Sequence, residues 1–359
     1  VPLIGVCTTL EDFQKYDIAL CIPHIFYKND ALYAKVRSMF SVLVLDEVHR
    51  ANSPRWSDIL DGFVVTDYLT ASATFARKDL RHFVMEHMCG PPVSFVEAES
   101  VSPICHLHYD EKWKSPQDFT NGKRALNFYK WSVTYGPKVV ELAKQVLVDL
   151  KKGHKILLPL LYIDDVIFFA DLFKRLNLTV GVIVGKANKK RFSGYETDIK
   201  KVVSNAKNGE YDVTLAIRSK IQAGVTCWRW SAHYVVASTS NEYNMYQESK
   251  RVASPAPKGE FKPHPIMRYF VDECTLPKKW LGDLIRKMFD VYSYQWVDNH
   301  REIALRLAKT VSRYVEDDVV EDLDYDDVEV ENPFARKTRV VTEAKPKGLR
   351  TPAQIAERI

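Results

Sequence analysis

Short apolar runs alternate with longer stretches of helical spacing along most of this chain, the pattern of a parallel sheet covered on both faces. In the first hundred residues, the runs at 17–22, 42–45 and 68–70 predict buried strands, and 29–40 and 57–60 predict helices between them. A break follows at Gly90-Pro91-Pro92, and then a polar, Lys-rich stretch at 110–123. Residues 138–151 carry Val139, Val140, Leu142, Ala143, Val146, Leu147 and Leu150 at helical spacing, with Gly153 just beyond as a helix stop. A strand at 155–161, a helix at 164–176 capped by Asp164, and a strand at 179–184 come next. Beyond them 198–206 predicts a helix, and 212–217, 233–237 and 268–271 predict strands. Residues 276–315 read as helical and rich in Trp, Tyr, Lys and Arg.

The organisation implied is α/β: two parallel-sheet domains in tandem at 1–100 and 101–275, a helical extension at 276–315 and a charged tail at 316–359. A length of 359 residues suits two domains. The first has too few strands to close a doubly wound sheet. No apolar run reaches the eighteen or so residues of a membrane span, because 155–170 is broken by Pro159 and the Asp164-Asp165 pair. Six scattered cysteines without paired spacing speak against a disulfide framework or a zinc ribbon and for a reducing cytoplasm, as does the lack of a basic-then-apolar leader.

Charge sharpens the picture. The net charge of +5 conceals ten acids and no base at 316–331, then seven Lys/Arg against two Glu at 332–359. Residues 1–315 therefore carry +10. A basic body with an acidic run and a basic end suits a polyanionic partner, the run acting as competitor or solubiliser. The plainer reading of the run is a solvated, disordered spacer.

The strongest chemical signal is Val42-Leu43-Val44-Leu45-Asp46-Glu47-Val48-His49. An apolar strand ending in two carboxylates puts them at the C-terminal edge of a sheet, where α/β folds bind ligands. One can hold Mg²⁺ through water and the other can take a proton from an attacking water. A helix-start cap is the structural alternative. About twenty residues on, Leu69-Thr70-Ala71-Ser72-Ala73-Thr74 gives a second buried strand ending in hydroxyl residues.

Together Asp46-Glu47-Val48-His49 and Ser72-Ala73-Thr74 resemble motifs II and III of superfamily 2 (DExH-box) helicases. Cys21-Ile22-Pro23-His24 resembles the segment after the Ib strand, 155–176 the strand and helix of motif IV, and Gln222-Ala223-Gly224-Val225-Thr226 motif V of phage and bacterial DNA-remodelling enzymes. Tyr246-Gln247-Glu248-Ser249-Lys250-Arg251-Val252 resembles motif VI. The motifs stand in family order over about 1–275. The resemblance implies two RecA-like domains, the first N-terminally truncated, that use ATP and Mg²⁺ to separate or remodel DNA strands, with RNA as the other candidate substrate. It assigns Mg²⁺ to Asp46, activation of water to Glu47, and coupling to His49 and Gln247. Pro23, His24, Ser72 and Thr74 would touch nucleic acid, Gly224 and Thr226 the ribose region, and Arg251 the γ-phosphate. It also leaves the tail free to engage replication or recombination proteins.

The departures are specific. None of the fourteen glycines opens a G-x-x-x-x-G-K-[ST] phosphate loop, and the resemblance puts that loop upstream of Val1. Phe75 stands where motif III ends in Pro. Lys250 and Ser254 stand where motif VI carries Gly and a second Arg. A homologue that binds nucleic acid or a partner without hydrolysis is therefore the competing reading. Among other constellations, His82 and His87 have the wrong spacing for a metalloprotease helix. Cys105, His106, His108 and Asp110 could cluster as metal ligands on a strand, though no second cysteine pair supports them. Trp228 and Trp230 beside Arg229, and Tyr292, Tyr294 and Trp296, read first as packing residues and second as base-stacking ones.

Overall fold

The computed structural model describes residues 1–46, 48, 54–71, 90, 101–114, 132–185, 190–222, 225–236, 241–310 and 351–359, with backbone alone at 54–55, 222, 243 and 275–276. The chain divides into two compact units, Val1–Ala98 and Glu99–Ile359.

In the first unit β1 (Ile4–Val6) pairs in parallel with β2 (Ile18–Leu20), and β3 (Val42–Leu45) in parallel with β4 (Asp67–Thr70). Helix α1 (Leu10–Lys15) starts at a capping box in which Thr9 accepts from the Asp12 N–H and the Asp12 carboxylate reaches back to the Thr9 N–H. With α2 (His24–Tyr27), α3 (Asp30–Val36) and α4 (Pro54–Asp61) it gathers Phe13, Phe26, Leu32, Val36 and Ile59 into a small core. A satellite of Leu45, Val48 and Leu60 lies beside β3 and β4. Strand alternation sends Ile4, Val6, Ile18, Leu20, Val42, Val44 and Leu69 the other way, and all seven are exposed.

The second unit carries a six-stranded, wholly parallel sheet in the order β5-β10-β9-β6-β8-β7. Its strands are β5 (Ile104–Lys114), β6 (Lys155–Leu160), β7 (Val180–Ile183), β8 (Val213–Ile217), β9 (Trp230–Val235) and β10 (Ile266–Glu273). Neighbouring residues of β6 serve opposite faces. Ile156, Leu158 and Leu160 meet α5 (Gly136–Lys151) and α6 (Ile163–Arg175), while Leu157 meets α7 (Ile199–Lys207) and its surroundings. Burial on both faces is why these strands are continuous apolar runs in the sequence. Helix α5 stops where Gly153 enters the left-handed region (φ +85°): its N–H donates to Leu150 O and that of His154 to Asp149 O, both at 3.0 Å. After β8 come α8 (Arg218–Gln222) and, beyond β9, α9 (Glu242–Ala253) capped by Asn241.

The structure departs from the sequence-based expectation in six places. The strands expected to be buried in the first unit, β2, β3 and β4, each leave one face exposed. Asp164 is in the first turn of α6, not its cap; Tyr162 occupies the cap, and Asp164 pairs with Arg191 at 2.5 Å. β9 begins at Trp230, earlier than predicted, because Trp230 is itself core. Ahead of the second series, the eleven-residue β5 runs into the polar, Lys-rich stretch expected to begin at 110. The extension is α10 (Thr275–Leu284), a π-helical turn at Ile285–Phe289, an irregular segment and α11 (His300–Lys309). The end of the charged tail forms α12 (Pro352–Ala356), which starts at a Thr351/Gln354 capping box and seats Ile355 in the core against α5 and α6. Among the described residues no helix is long and apolar enough to cross a membrane.

Candidate functional site

The motif-like residues of the second unit converge along α9. That helix buries Met245, Glu248, Ser249 and Val252, which turns Gln247 and Arg251, one turn apart, onto a common half-buried stripe. Arg251 Nη1 donates to Thr226 Oγ1 at 3.3 Å, joining the segment before β9 to the helix after it. The arrangement supplies a guanidinium, a hydroxyl and a side-chain amide, which suit the equatorial oxygens of a phosphoryl group.

Beneath this stripe lies an ionic bridge that motif spacing did not disclose. Glu248 is fully buried, and its carboxylate lies 2.6 Å from Arg218 Nε and 3.4 Å from His233 Nε2. Arg218 opens α8 and His233 lies in β9, so one side chain ties α9 to both the β8 end and the sheet. A second buried cluster sits by the ends of β9 and β10. There the Lys138 ammonium donates to Asp272 (2.9 Å), Val236 O (2.9 Å) and Ser132 Oγ (2.5 Å). Burial pulls Lys138 down and pushes Asp272 up, while their attraction and the shared hydrogen bonds oppose both shifts.

In the first unit Asp46 follows β3 directly and is exposed. The turn beyond is tied to the end of β4, Ala71 N–H donating to Leu45 O (2.9 Å) and Val48 N–H to Ala71 O (3.0 Å). Pro23 caps α2 after β2, and His24 is its exposed first residue, edge-on to Tyr27 at 5.2 Å. Thus Asp46, Pro23 and His24 all follow strand ends. Glu47, His49, Ser72, Thr74 and Gly224 lie outside the described residues, as do Phe75, His82 and His87.

A carboxylate at a strand end fits a Mg²⁺ held through water, and Arg251 with Thr226 fits the transferred end of a nucleotide. The backbone cradle for the remaining phosphates is a loop whose sequence pattern this chain does not contain. Of the two departures in motif VI, Lys250 sets its ammonium 5.1 Å from the centre of the Tyr246 ring. Ser254 is the C-cap of α9, and its carbonyl accepts from Lys262 Nζ at 2.6 Å.

The metal-ligand reading of β5 is corrected by strand alternation. Cys105 faces a core with Leu107 and Met267, whereas His106 and His108 turn to the opposite face beside Arg268. No group of three metal-ligating side chains occurs among the described residues. Trp230 packs in the core and donates to Thr214 Oγ1 (3.0 Å); Trp228 lies under the Arg229 guanidinium, 4.3 Å from its ring centre. Tyr294 and Trp296 pack against Phe289, though from an irregular segment and not the predicted helix face.

No protein-family model matches the sequence, and a search of curated proteins finds no match. Among solved structures the chain is similar to Mss116p bound to ssRNA and AMP-PNP, at 12% identity and a TM-score of 0.47, covering 86% of this chain and 60% of that one. It is likewise similar to S. cerevisiae Dbp5 bound to RNA and ADP BeF3, at 12% identity and 0.47, covering 86% and 73%. The C-terminal part of the Fun30 ATPase domain matches at 10% identity and 0.34, covering 48% and 52%. The chain thus spans 60% of the length of the first of these. Likenesses this distant do not bear on the chemistry of the site.

Proposed function

We propose that this chain contributes two RecA-like units to a superfamily 2 helicase of the DExH type, phage or bacterial. It would work in the cytoplasm on DNA. The observation that carries the reading is the Arg251–Thr226 contact, which brings together two segments that the sequence likens to motifs V and VI. ATP supplies the phosphoryl group, and Arg251 would stabilise charge that develops on it. Asp46 would hold Mg²⁺ through water, Glu47 would accept the proton of the attacking water, and His49 and Gln247 would couple the site. Pro23, His24, Ser72 and Thr74 would track the nucleic-acid strand.

Because the phosphate loop is missing from the sequence, phosphate release by this chain should be undetectable with or without DNA. Joined to an upstream segment carrying G-x-x-x-x-G-K-[ST], it should show DNA-stimulated turnover. Glu47→Gln should abolish that turnover. Arg251→Ala should lower kcat far more than it weakens ATP binding, since its contact strengthens in the transition state. An unchanged kcat in Arg251→Ala removes that residue from the site.

A second reading, a non-hydrolysing homologue that binds nucleic acid, is favoured by one specific observation. Where motif VI carries a second arginine, Ser254 ends the helix and is capped by Lys262, so it offers no second guanidinium. Loss of such an arginine costs on the order of 10³–10⁵ in rate. Turnover in the extended protein excludes this reading, and nucleic-acid binding without turnover supports it.

A further inference from the structure

We propose that Tyr292, stacked on Tyr246 of α9, is a platform for an unpaired base of a single-stranded nucleic acid. This deepens the proposed nucleic-acid function and rests on it. The two rings lie 4.0 Å apart between centroids with planes 24° apart, and Lys250 Nζ lies 5.1 Å from the Tyr246 centroid. Tyrosine, tyrosine and ammonium thus form one compact stack beside the Gln247/Arg251 stripe.

The backbone beneath the stack is anchored on both sides of Tyr292. Tyr292 N–H donates to Met288 O (2.9 Å), and the next residue, Ser293, turns the chain through the left-handed region at φ +51°. Tyr294 then plunges into the core, sharing a 2.6 Å hydrogen bond with Ser249 of α9 and meeting Phe289 edge-on. Its neighbours Tyr294 and Trp296 pack inward, but Tyr292 is left 37% exposed, with Val291 beside it 64% exposed. A ring already packed on Tyr246 yet open to water gives up less side-chain freedom than an unpacked one when a base stacks on it. Every base has a π-face, so such a platform is tolerant of sequence.

The charges around it fit a phosphate backbone. On the helix and turn that hold the stack, Asp283 pairs with Arg286 at 2.8 Å and Asp290 with Arg301 at 2.9 Å. Lys250 and Lys287 lie on these same elements, and the Glu242 carboxylate of α9 exerts its negative charge on Tyr292. The basic body of the protein, +10 over residues 1–315, adds a long-range attraction for polyanions.

The test uses the whole chain with a fluorescein-labelled oligothymidylate and an abasic oligonucleotide of the same length, at fixed salt. Tyr292→Ala should weaken oligothymidylate binding by about five- to a hundred-fold and leave abasic binding unchanged. Tyr292→Trp should restore binding, and its indole emission should be quenched by oligothymidylate but not by the abasic strand or by millimolar thymidine monophosphate. Equal loss on both strands, or no loss on either, overturns the platform. Failure of the wild-type chain to bind either strand overturns the nucleic-acid reading itself, and the two failures are told apart by the wild-type titration. Quenching by the mononucleotide alone assigns the stack to a free nucleotide and likewise overturns a strand platform.

Discussion

At the scale of single residues, the clearest energetic consequence concerns two histidines that the sequence offered as metal ligands. His108 stacks on Phe270 (4.6 Å, 14°) and accepts from Arg268 Nη1 at 2.9 Å through Nε2. A ring nitrogen that accepts from a guanidinium cannot also hold a proton, so the imidazole is neutral with its proton on Nδ1. Burial, reinforced by Arg268, pulls His108 down to about 3 and His106 to about 4. In the unfolded chain both titrate near about 6.5. Between that pH and about 4 the unfolded state binds more protons, so stability present above about 6.5 is lost as the pH falls. Asp149, held bidentately by Arg268 at 2.5 Å, extends the loss to lower pH: burial pushes it up, but Arg268 and Tyr234 hold it below the usual carboxylate range. The melting temperature should therefore drop between pH 7 and pH 4. In His108→Gln, whose amide oxygen can accept from Arg268 without titrating, the drop should be shallower. A pH profile unaltered by that substitution would show that the acid lability lies elsewhere.

Legibility varies with what each element buries. The strands β6, β7 and β8 could be read from the sequence because both faces are core and the runs are unbroken. β5 was legible only as a strand with a ligand-like cluster, not as a sheet member, because Cys105, Leu107 and Tyr109 face one side while His106, His108 and Asp110 face the other, and alternating polar chemistry imitates a ligand set. The Arg218–Glu248–His233 bridge was hidden for another reason. Its members come from three elements, and no spacing rule within one element relates them. The contact of Arg251 with Thr226, by contrast, joins two segments that the sequence had singled out, although the sequence did not relate them to each other. Helix α12 is the largest omission, since judging the tail by charge obscured Thr351-Pro352 as a helix start and Ile355 as an anchor. Ile355 is 0% exposed in the core shared with α5 and α6. Ile355→Ala should cost about 2–5 kcal/mol if the pocket it leaves does not collapse. Urea unfolding followed by tryptophan fluorescence measures this, and a midpoint equal to that of the wild type would mean the segment contributes nothing to the unit.

For the molecule as a whole, charge and apolar surface pull in different directions. The first unit leaves Val6, Val44 and Leu69 more than 60% exposed on strands of a kind that other polypeptide normally covers on both faces. The polyelectrolyte character lies in the basic 1–315 and the ten acids of 316–331. A tethered run of carboxylates competes with a nucleic-acid backbone for the same basic surface at high effective concentration. Deleting 316–359 would not test this cleanly, because it also removes Ile355 from the core. Replacing the ten acids by their amides keeps chain length, the seven bases beyond them and α12. If the run competes, the amide variant should bind single-stranded DNA more tightly at low salt, with a steeper salt dependence, because counterions once displaced by the run are now displaced by phosphates. The advantage should shrink as ionic strength rises and the Debye length falls to about 8 Å near 0.15 M. A solvated spacer predicts no change beyond the general gain from ten fewer negative charges, and that gain leaves the slope of log affinity against log salt where it was. The slope, more than the affinity, therefore decides between competitor and spacer.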